Sequence, residues 1–440
     1  KYQDLKAKHF LSDSYSSVHA RALATRYRTR KSFIEGFTKL HLFVVSLRCD
    51  HSCPYCQVSR VSEDRDRYDM TEATADRALE LALRTPSPAI TIEFQGGEPL
   101  LNFPILQRIV EQATLRKDAV GKSIRFVVCT NLSTLSDQHL EFFRRYDVVV
   151  STSLDGPAGI HNANRPFNRG SSHEMVVRNI ERVREALGRE SVSALMTTTR
   201  NSFGYHKEII DEYVRLDLGS IFMRNLSPYG FALKTASAIG YSVDEFLRFY
   251  KSALDYILEI NRAGRPFVEA FTTILLRKIL TPFPIGFVDL QSPAGAGIGV
   301  VVYNYDGAVY ASDESRMLAE TGDQALRLGH VAENSYEEIF FGEVMQHLVA
   351  ASCNEALAGC ADCVYQPYCG ADPVYHYATQ GDAFGDRAAS GFCKKHMGAF
   401  QNLFALLLKE DPSTNEIFWA WMNEASVNEM KLPVPLWLSS

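Results

Sequence analysis

The 440 residues contain no apolar run approaching the ~18 needed to cross a bilayer, and no secretory apolar region opens the chain. The expectation is a soluble, cytoplasmic protein with no membrane partner. A surplus of positive charge is missing too: 46 Lys and Arg stand against 52 Asp and Glu, a net charge of −6, which excludes a dominant electrostatic footprint for nucleic acid. Internal repeats and low-complexity tracts are absent, and 46% hydrophobic with 11% aromatic residues is a globular composition. A chain of this length should hold two or more domains. Nine cysteines in a reducing compartment point to metal ligands rather than disulfides.

Seven of the nine fall into two groups, and the first lacks a fourth member. Cys49-Asp-His-Ser-Cys53-Pro-Tyr-Cys56 follows an apolar run, Leu40 to Leu47. Three thiolates this close can hold three corners of a metal cluster and leave a fourth metal position for an exchangeable ligand, as open catalytic zinc sites do. A zinc knuckle, or thiols that merely pack, is the bland alternative. The second group, Cys360, Cys363, Cys369 and Cys393, has the four members of a closed iron–sulfur or zinc site. Cys129 and Cys353 match neither group and read as buried small residues.

Between about residues 40 and 224 short β-branched runs alternate with amphipathic stretches. Strands are expected at Leu40–Leu47, Ile90–Phe94, Ile124–Cys129, Val148–Ser153, Val192–Thr197 and Ser220–Arg224. Thr71 should cap the first connecting helix, whose Ala75, Ala78, Leu79, Ala82 and Leu83 form one stripe. Six strands separated by helices imply right-handed crossovers and an α/β fold with a parallel sheet, open or curled into a partial (β/α)6 barrel. Chemistry then belongs at the strands' C-terminal ends. There the sequence places the three cysteines, then Gln95-Gly96-Gly97-Glu98-Pro99, then Thr130-Asn131, then Ser153-Leu154-Asp155-Gly156-Pro157 with Arg165 beyond. Asp155 reads as a turn residue. Met196, on the fifth strand, reads as core or as pocket lining. Ahead of this unit four arginines and Lys31 form a basic stretch, either a contact for an acidic peptide or a solvated helix face. Beyond it Ser242 and Glu245 form a capping box, and helices are expected at Val268–Leu280, Ser335–Leu348 and Phe392–Leu408.

The cysteine loop resembles the signature of the radical S-adenosylmethionine (SAM) enzymes. That likeness implies a [4Fe-4S] cluster on Cys49, Cys53 and Cys56 whose open iron chelates SAM, and a 5′-deoxyadenosyl radical from SAM cleavage. It also implies SAM contacts from Gly96, Gly97 and Glu98 at the amino group, Ser153 and Arg165 at the ribose and carboxylate, and Tyr55 beside the adenine. Thr130, Asn131 and Met196 would complete the pocket. The second cysteine group resembles the SPASM extension of peptide-modifying relatives, which usually carries two auxiliary [4Fe-4S] clusters. Three ligands of one of them are missing: Ser312 stands at one position, Pro373 at another, and the window from Gln291 to Gly297 holds no cysteine. The implied complement is one auxiliary cluster on Cys360, Cys363, Cys369 and Cys393. Asp313 falls where SPASM enzymes keep a general base; a surface carboxylate is the alternative.

Together with the runs Tyr27-Arg-Thr-Arg-Lys-Ser, Leu290-Gln-Ser-Pro-Ala-Gly-Ala-Gly-Ile-Gly and Cys369-Gly-Ala-Asp-Pro-Val, these features are similar to the His-Xaa-Ser system radical SAM maturases. That resemblance implies a C–C or thioether crosslink on a ribosomally made precursor peptide of His-Xaa-Ser repeat type, with a flavodoxin or ferredoxin as one-electron donor. A peptide dehydrogenase or epimerase is the nearer alternative, and a non-enzymatic zinc or iron–sulfur regulator the more distant one. The expected organisation is a helical basic segment at 1–39, a radical SAM barrel at 40–235, a helical bridge at 236–285, a SPASM-like domain at 286–395 and a C-terminal helix and tail at 396–440.

Overall fold

Strand β1, Leu40–Ser46, is covered on both faces: Phe43, Val44 and Val45 are wholly buried. Period-two alternation sends Phe43 and Val45 into the main core, and Leu42 and Val44 into a second cluster with Val300, Val302 and Tyr310. Such a strand needs no polar face, hence the unbroken apolar run in the sequence. Each of these side chains contributes about 1.5–3 kcal/mol by burial. The computed structural model describes residues 1–7, 11, 13, 17–56 and 64–423.

β1 pairs in parallel with β2, Ala89–Gly96, across the helix Glu72–Leu83, which Thr71 caps by accepting from the Thr74 amide. β3 (Ser123–Cys129), β4 (Val148–Ser153) and β5 (Val192–Thr197) follow in order and in parallel, each after a helical crossover. The expected sixth strand divides. Ser220–Ile221 (β6) leaves the sheet, while Met223–Arg224 (β7) closes its edge against β5. β6 instead pairs with β8, Val268–Glu269, so the helix expected from Val268 starts at Ala270. Glu269 fixes that start by accepting from the Phe271 and Thr272 amides. The helix expected across 335–348 is two, Tyr336–Phe341 and Glu343–Ala350, divided at Gly342.

On its other side β1 pairs in parallel with β9, Val300–Tyr303, and β9 continues antiparallel into β10 (Ala308–Tyr310) and β11 (Arg327–His330). One nine-stranded sheet, ordered β11-β10-β9-β1-β2-β3-β4-β5-β7, therefore runs through both the first cysteine loop's scaffold and the C-terminal region. Among the described residues no helix is long and apolar enough to cross a membrane.

Candidate functional site

The cysteine loop leaves β1 and is braced at once. Arg48 is paired with Asp69 at 2.7 and 2.8 Å and donates to the Leu101 carbonyl at 2.7 Å. The exit of β2 lies directly against it: the Gly97 amide donates to the Ser46 carbonyl and the Glu98 amide to the Arg48 carbonyl, both at 2.8 Å. A Cβ on Gly97 would stand 2.2 Å from the Arg48 oxygen, and one on Gly96, at φ +147°, 2.0 Å from the Ser46 oxygen. Only glycine permits that approach.

Glu98 is wholly buried, and its carboxylate ties the ends of β2 and β3 together. Oε1 accepts from Thr130 Oγ1 at 2.6 Å and from the Leu100 amide at 3.0 Å; Oε2 accepts from the Asn131 amide at 2.8 Å. Burial pushes the Glu98 carboxyl up to about 7. Thr130 also accepts the Thr152 hydroxyl at its carbonyl, linking β3 to β4. The Asn131 side-chain amide reaches the Cys49 sulfur at 3.8 Å, Asp50 at 3.1 Å and His51 at 2.9 Å. His51 is itself held between Asp50 at 2.9 Å and the stacked ring of Phe167. Cys49, Asp50 and His51 thus bring three ligand atoms within 4.8 Å of one another, while Asp50 Oδ2 is buried without a partner.

Asp155, read from the sequence as a turn residue, is the hub on the opposite side of the loop. Wholly buried, it accepts from Tyr55 at 2.7 Å, from Arg165 Nε at 3.0 Å and Nη2 at 3.3 Å, and from the Thr197 amide at 3.0 Å. The Arg165 guanidinium lies 5.2 Å over the Tyr55 ring. Burial works against the Arg165 charge, but Asp155 overcomes it and holds the group protonated above its ordinary range. Burial likewise pushes Cys49 up, and Cys53 up to about 12, with Arg165 opposing at Cys53. Ser153 is the last residue of β4, paired with Leu195. Met196 is fully buried within the main core.

Residues 43–214 match the radical SAM superfamily. The chain carries a radical SAM domain. Among curated relatives, the radical SAM cyclopropyl synthase TigE of Paramaledivibacter caminithermalis is 26% identical over 183 residues, 38% of this chain and 37% of that protein. The chain spans less than half the length of the first curated relatives it matches, 45%, 37% and 46%. Two solved structures share the fold. AnSMEcpe with bound AdoMet superposes with a TM-score of 0.67 at 19% identity, covering 86% of this chain and 99% of that one. Streptococcus suis SuiB bound to precursor peptide SuiA gives 0.59 at 13% identity, covering 87% and 82%.

The radical SAM domain's loop suits a cubane cluster: three thiols and no further cysteine, an amide at 3.8 Å from one sulfur and an orphaned carboxylate oxygen beside it. A cavity of about 630 Å³ lies against the inner face of the sheet. Its walls include Glu93 of β2 and Cys129 of β3, and the Cys129 thiol donates to Glu93 Oε1 at 3.3 Å. Burial raises both groups, so thiol and carboxyl are each biased toward the protonated form. The helix Phe231–Ile239 joins loop to cavity: Thr235 donates to the Pro54 carbonyl at 2.7 Å, and Ala232 and Ala236 line the cavity. Glu93 was legible as the one carboxylate inside an apolar strand, a signal the sequence reading passed over.

Asp313 is the first residue of the helix Asp313–Glu320, capped by Ser312, and accepts from the buried Arg316 Nε at 2.8 Å. Its charge reaches Glu93 and Cys129, while Arg316 lies in the field of Cys56. Pro373 opens the helix Pro373–Gln380, with Asp372 as cap. Of the basic N-terminal stretch, Arg30 donates to the Pro367 carbonyl and lies over Tyr368, and Lys31 pairs with Glu355 at 2.6 Å. In the second cysteine group Cys369 is pushed up to about 12, first by burial and then by the charges of Cys393, Cys360 and Cys363. Gly370 lets this loop pack, since a Cβ there would stand 2.2 Å from the Asp289 carbonyl oxygen.

Proposed function

We propose that this chain is a radical SAM maturase that crosslinks side chains of a ribosomally made precursor peptide, of His-Xaa-Ser repeat type. The observation that carries the reading is the joining of the braced three-thiol loop to a large cavity by one helix, with the Asp313 charge acting on Glu93 and Cys129 of the cavity wall. When bound on Cys49, Cys53 and Cys56, a [4Fe-4S] cluster with SAM supplies a 5′-deoxyadenosyl radical.

The protein's own part is positioning, exclusion of water and proton handling. Glu98 and Asn131 fix the loop; Gly96 and Gly97 keep the approach to it narrow; Tyr55, Arg165 and Ser153 present a ring, a cation and a hydroxyl to SAM, with Asp155 setting the orientation of the first two. Asp313 takes a proton from the substrate as the crosslink closes. Cys360, Cys363, Cys369 and Cys393 would hold one auxiliary cluster able to accept the electron that leaves with that proton, and a flavodoxin or ferredoxin would deliver the electron that SAM cleavage needs. The protonated Cys129 thiol in the cavity favours one second reading, an epimerase in which a thiol returns a hydrogen atom to the substrate.

The deciding experiment incubates anaerobically reconstituted enzyme with SAM, dithionite and a synthetic peptide of His-Xaa-Ser repeats. A product about two mass units lighter, formed with 5′-deoxyadenosine and shown by fragmentation to contain a ring, is expected because a crosslink removes two hydrogens net. Unchanged mass in ordinary water, with about one mass unit gained when the reaction is run in D2O, would replace it by the epimerase. No 5′-deoxyadenosine above background would sink both.

A further inference from the structure

The three segments that lack cysteines at the second auxiliary position converge on one wall of the cavity, and each brings a carboxylate. Asp289 comes from the turn ahead of Gln291, Glu314 from two residues after Ser312, and Asp372 from the residue before Pro373; all three line the cavity. They feel one another, since Asp289 and Glu314, after burial, raise Asp372, and Asp289 raises Glu314. Two cations share the wall. Arg224 lies 3.8 Å from Glu314, and Lys395 donates to Asn225 at 3.0 Å. One formal negative charge is left in excess on this wall; elsewhere on the lining stand Lys39 and Glu93, the latter biased toward its protonated form by burial.

Charge alone would not make this a binding site. Two further side chains on the same cavity do: Gln291, 4% exposed, and Tyr229, 2% exposed, leave Gln291 Oε1 and the Tyr229 hydroxyl buried without hydrogen-bond partners. An unmade hydrogen bond of this kind costs about 1–3 kcal/mol, which a ligand carrying N–H donors would recover. A bare divalent cation does not suit the wall. It would draw its oxygens in to about 2.3–2.6 Å, and among the described residues only Cys49, Asp50 and His51 bring three such ligand atoms within 4.8 Å of one another. A planar, donor-rich organic cation spans the wider spacing.

We propose that this wall is a specificity pocket for a basic side chain of the substrate, a guanidinium in first place, held by Asp289, Asp372, Glu314, Gln291 and Tyr229. The assignment rests on the cavity being the substrate cavity of the proposed maturase, and it names which residue class that substrate presents there.

The test is direct binding, which needs no SAM cleavage. Nα-acetyl-arginine amide, Nα-acetyl-citrulline amide and Nα-acetyl-glutamate amide are titrated into the reconstituted protein by ligand-observed NMR. Arginine should bind about tenfold or more tighter than citrulline, the isostere without charge. In the Asp289→Asn/Asp372→Asn double variant arginine should fall to the citrulline level; Asn still caps the Pro373 helix, so the fold has a reason to survive. Equal binding of arginine and citrulline to the unaltered protein overturns the proposal even where the variant does not fold. So does tightest binding of the glutamate probe, or an undiminished arginine preference in a folded double variant. A protein that shows the preference yet makes no 5′-deoxyadenosine keeps the pocket and loses the maturase.

Discussion

Cys53 and Cys369 are both pushed up to about 12 by burial, yet their neighbours differ in kind. Around Cys53 stand a cation and a carboxylate, Arg165 and Asp155, together with Cys56. Around Cys369 stand three more thiols, backed by Tyr365 stacked on Phe400 at 5.5 Å. The first group is embedded in groups able to grip a polar ligand; the second is enclosed by its own thiols and by aromatic packing. On the proposed reading, the same donor chemistry would serve an exchangeable site in one place and a closed one in the other.

Removing each group in turn gives the largest expected effect. Joint replacement of Cys49, Cys53 and Cys56 by Ala should lower bound iron from about eight to about four per chain and abolish 5′-deoxyadenosine formation. Joint replacement of Cys360, Cys363, Cys369 and Cys393 should lower iron equally while SAM cleavage continues. Iron near twelve in the unaltered protein would break the comparison by restoring a second auxiliary cluster; zinc in the second group would break it the other way.

A smaller effect is expected at Asp313. Asp313→Asn keeps shape but loses proton affinity, so product should fall about a hundred- to ten-thousand-fold while 5′-deoxyadenosine still accumulates. Joint loss of both in one reaction would reassign Asp313 to holding Arg316, its present partner at 2.8 Å.

What the sequence disclosed followed the range of the forces involved. The first five strand runs and the Thr71 cap are local, and the structure places them as read. Asp155 was misjudged because its four donors come from residues 55, 165 and 197, contacts that exist only after the sheet has formed. Glu98 illustrates the same limit: its motif gave no sign that its two oxygens would accept from Thr130, Asn131 and Leu100. The continuation of the sheet from β1 into β9 was equally hidden, since a β-branched run does not announce its partner.

Asp155→Ala sharpens the contrast at the level of stability. It would strand the Arg165 charge, 12% exposed at its side chain, with no carboxylate beside it. Leaving one partner of a buried pair uncompensated costs about 3–5 kcal/mol, which urea denaturation would register. A loss below about 1 kcal/mol would mean that water or another group already serves Arg165, and that the first site is less enclosed than its geometry indicates.

The smallest effect concerns the joint between the two regions. His41 of β1 is wholly buried, lies 3.2 Å from the Tyr303 hydroxyl of β9, and is stacked on that ring. Burial lowers His41 to about 3 from an ordinary 6.5, so the folded protein holds it neutral where the unfolded chain would take a proton. A depressed folded value gives stability that is fully present above about 6.5 and is lost as pH falls toward 3. Between pH 7 and pH 5 that loss is about 2 kcal/mol, from 1.36 kcal/mol per unit. His41→Gln removes the titration but can keep a hydrogen bond, and His139, His161 and His376, also depressed by burial, titrate alike in both proteins. The stability gap between unaltered protein and His41→Gln should therefore narrow by about that amount from pH 7 to pH 5. Amide protection at 300–303, corrected for the intrinsic exchange rate at each pH, should fall over the same range in the unaltered protein alone, because the opened chain takes a proton on His41 that the folded seam refuses. Parallel stability curves would show that His41 is hydrated in solution and that the seam does not depend on its neutrality.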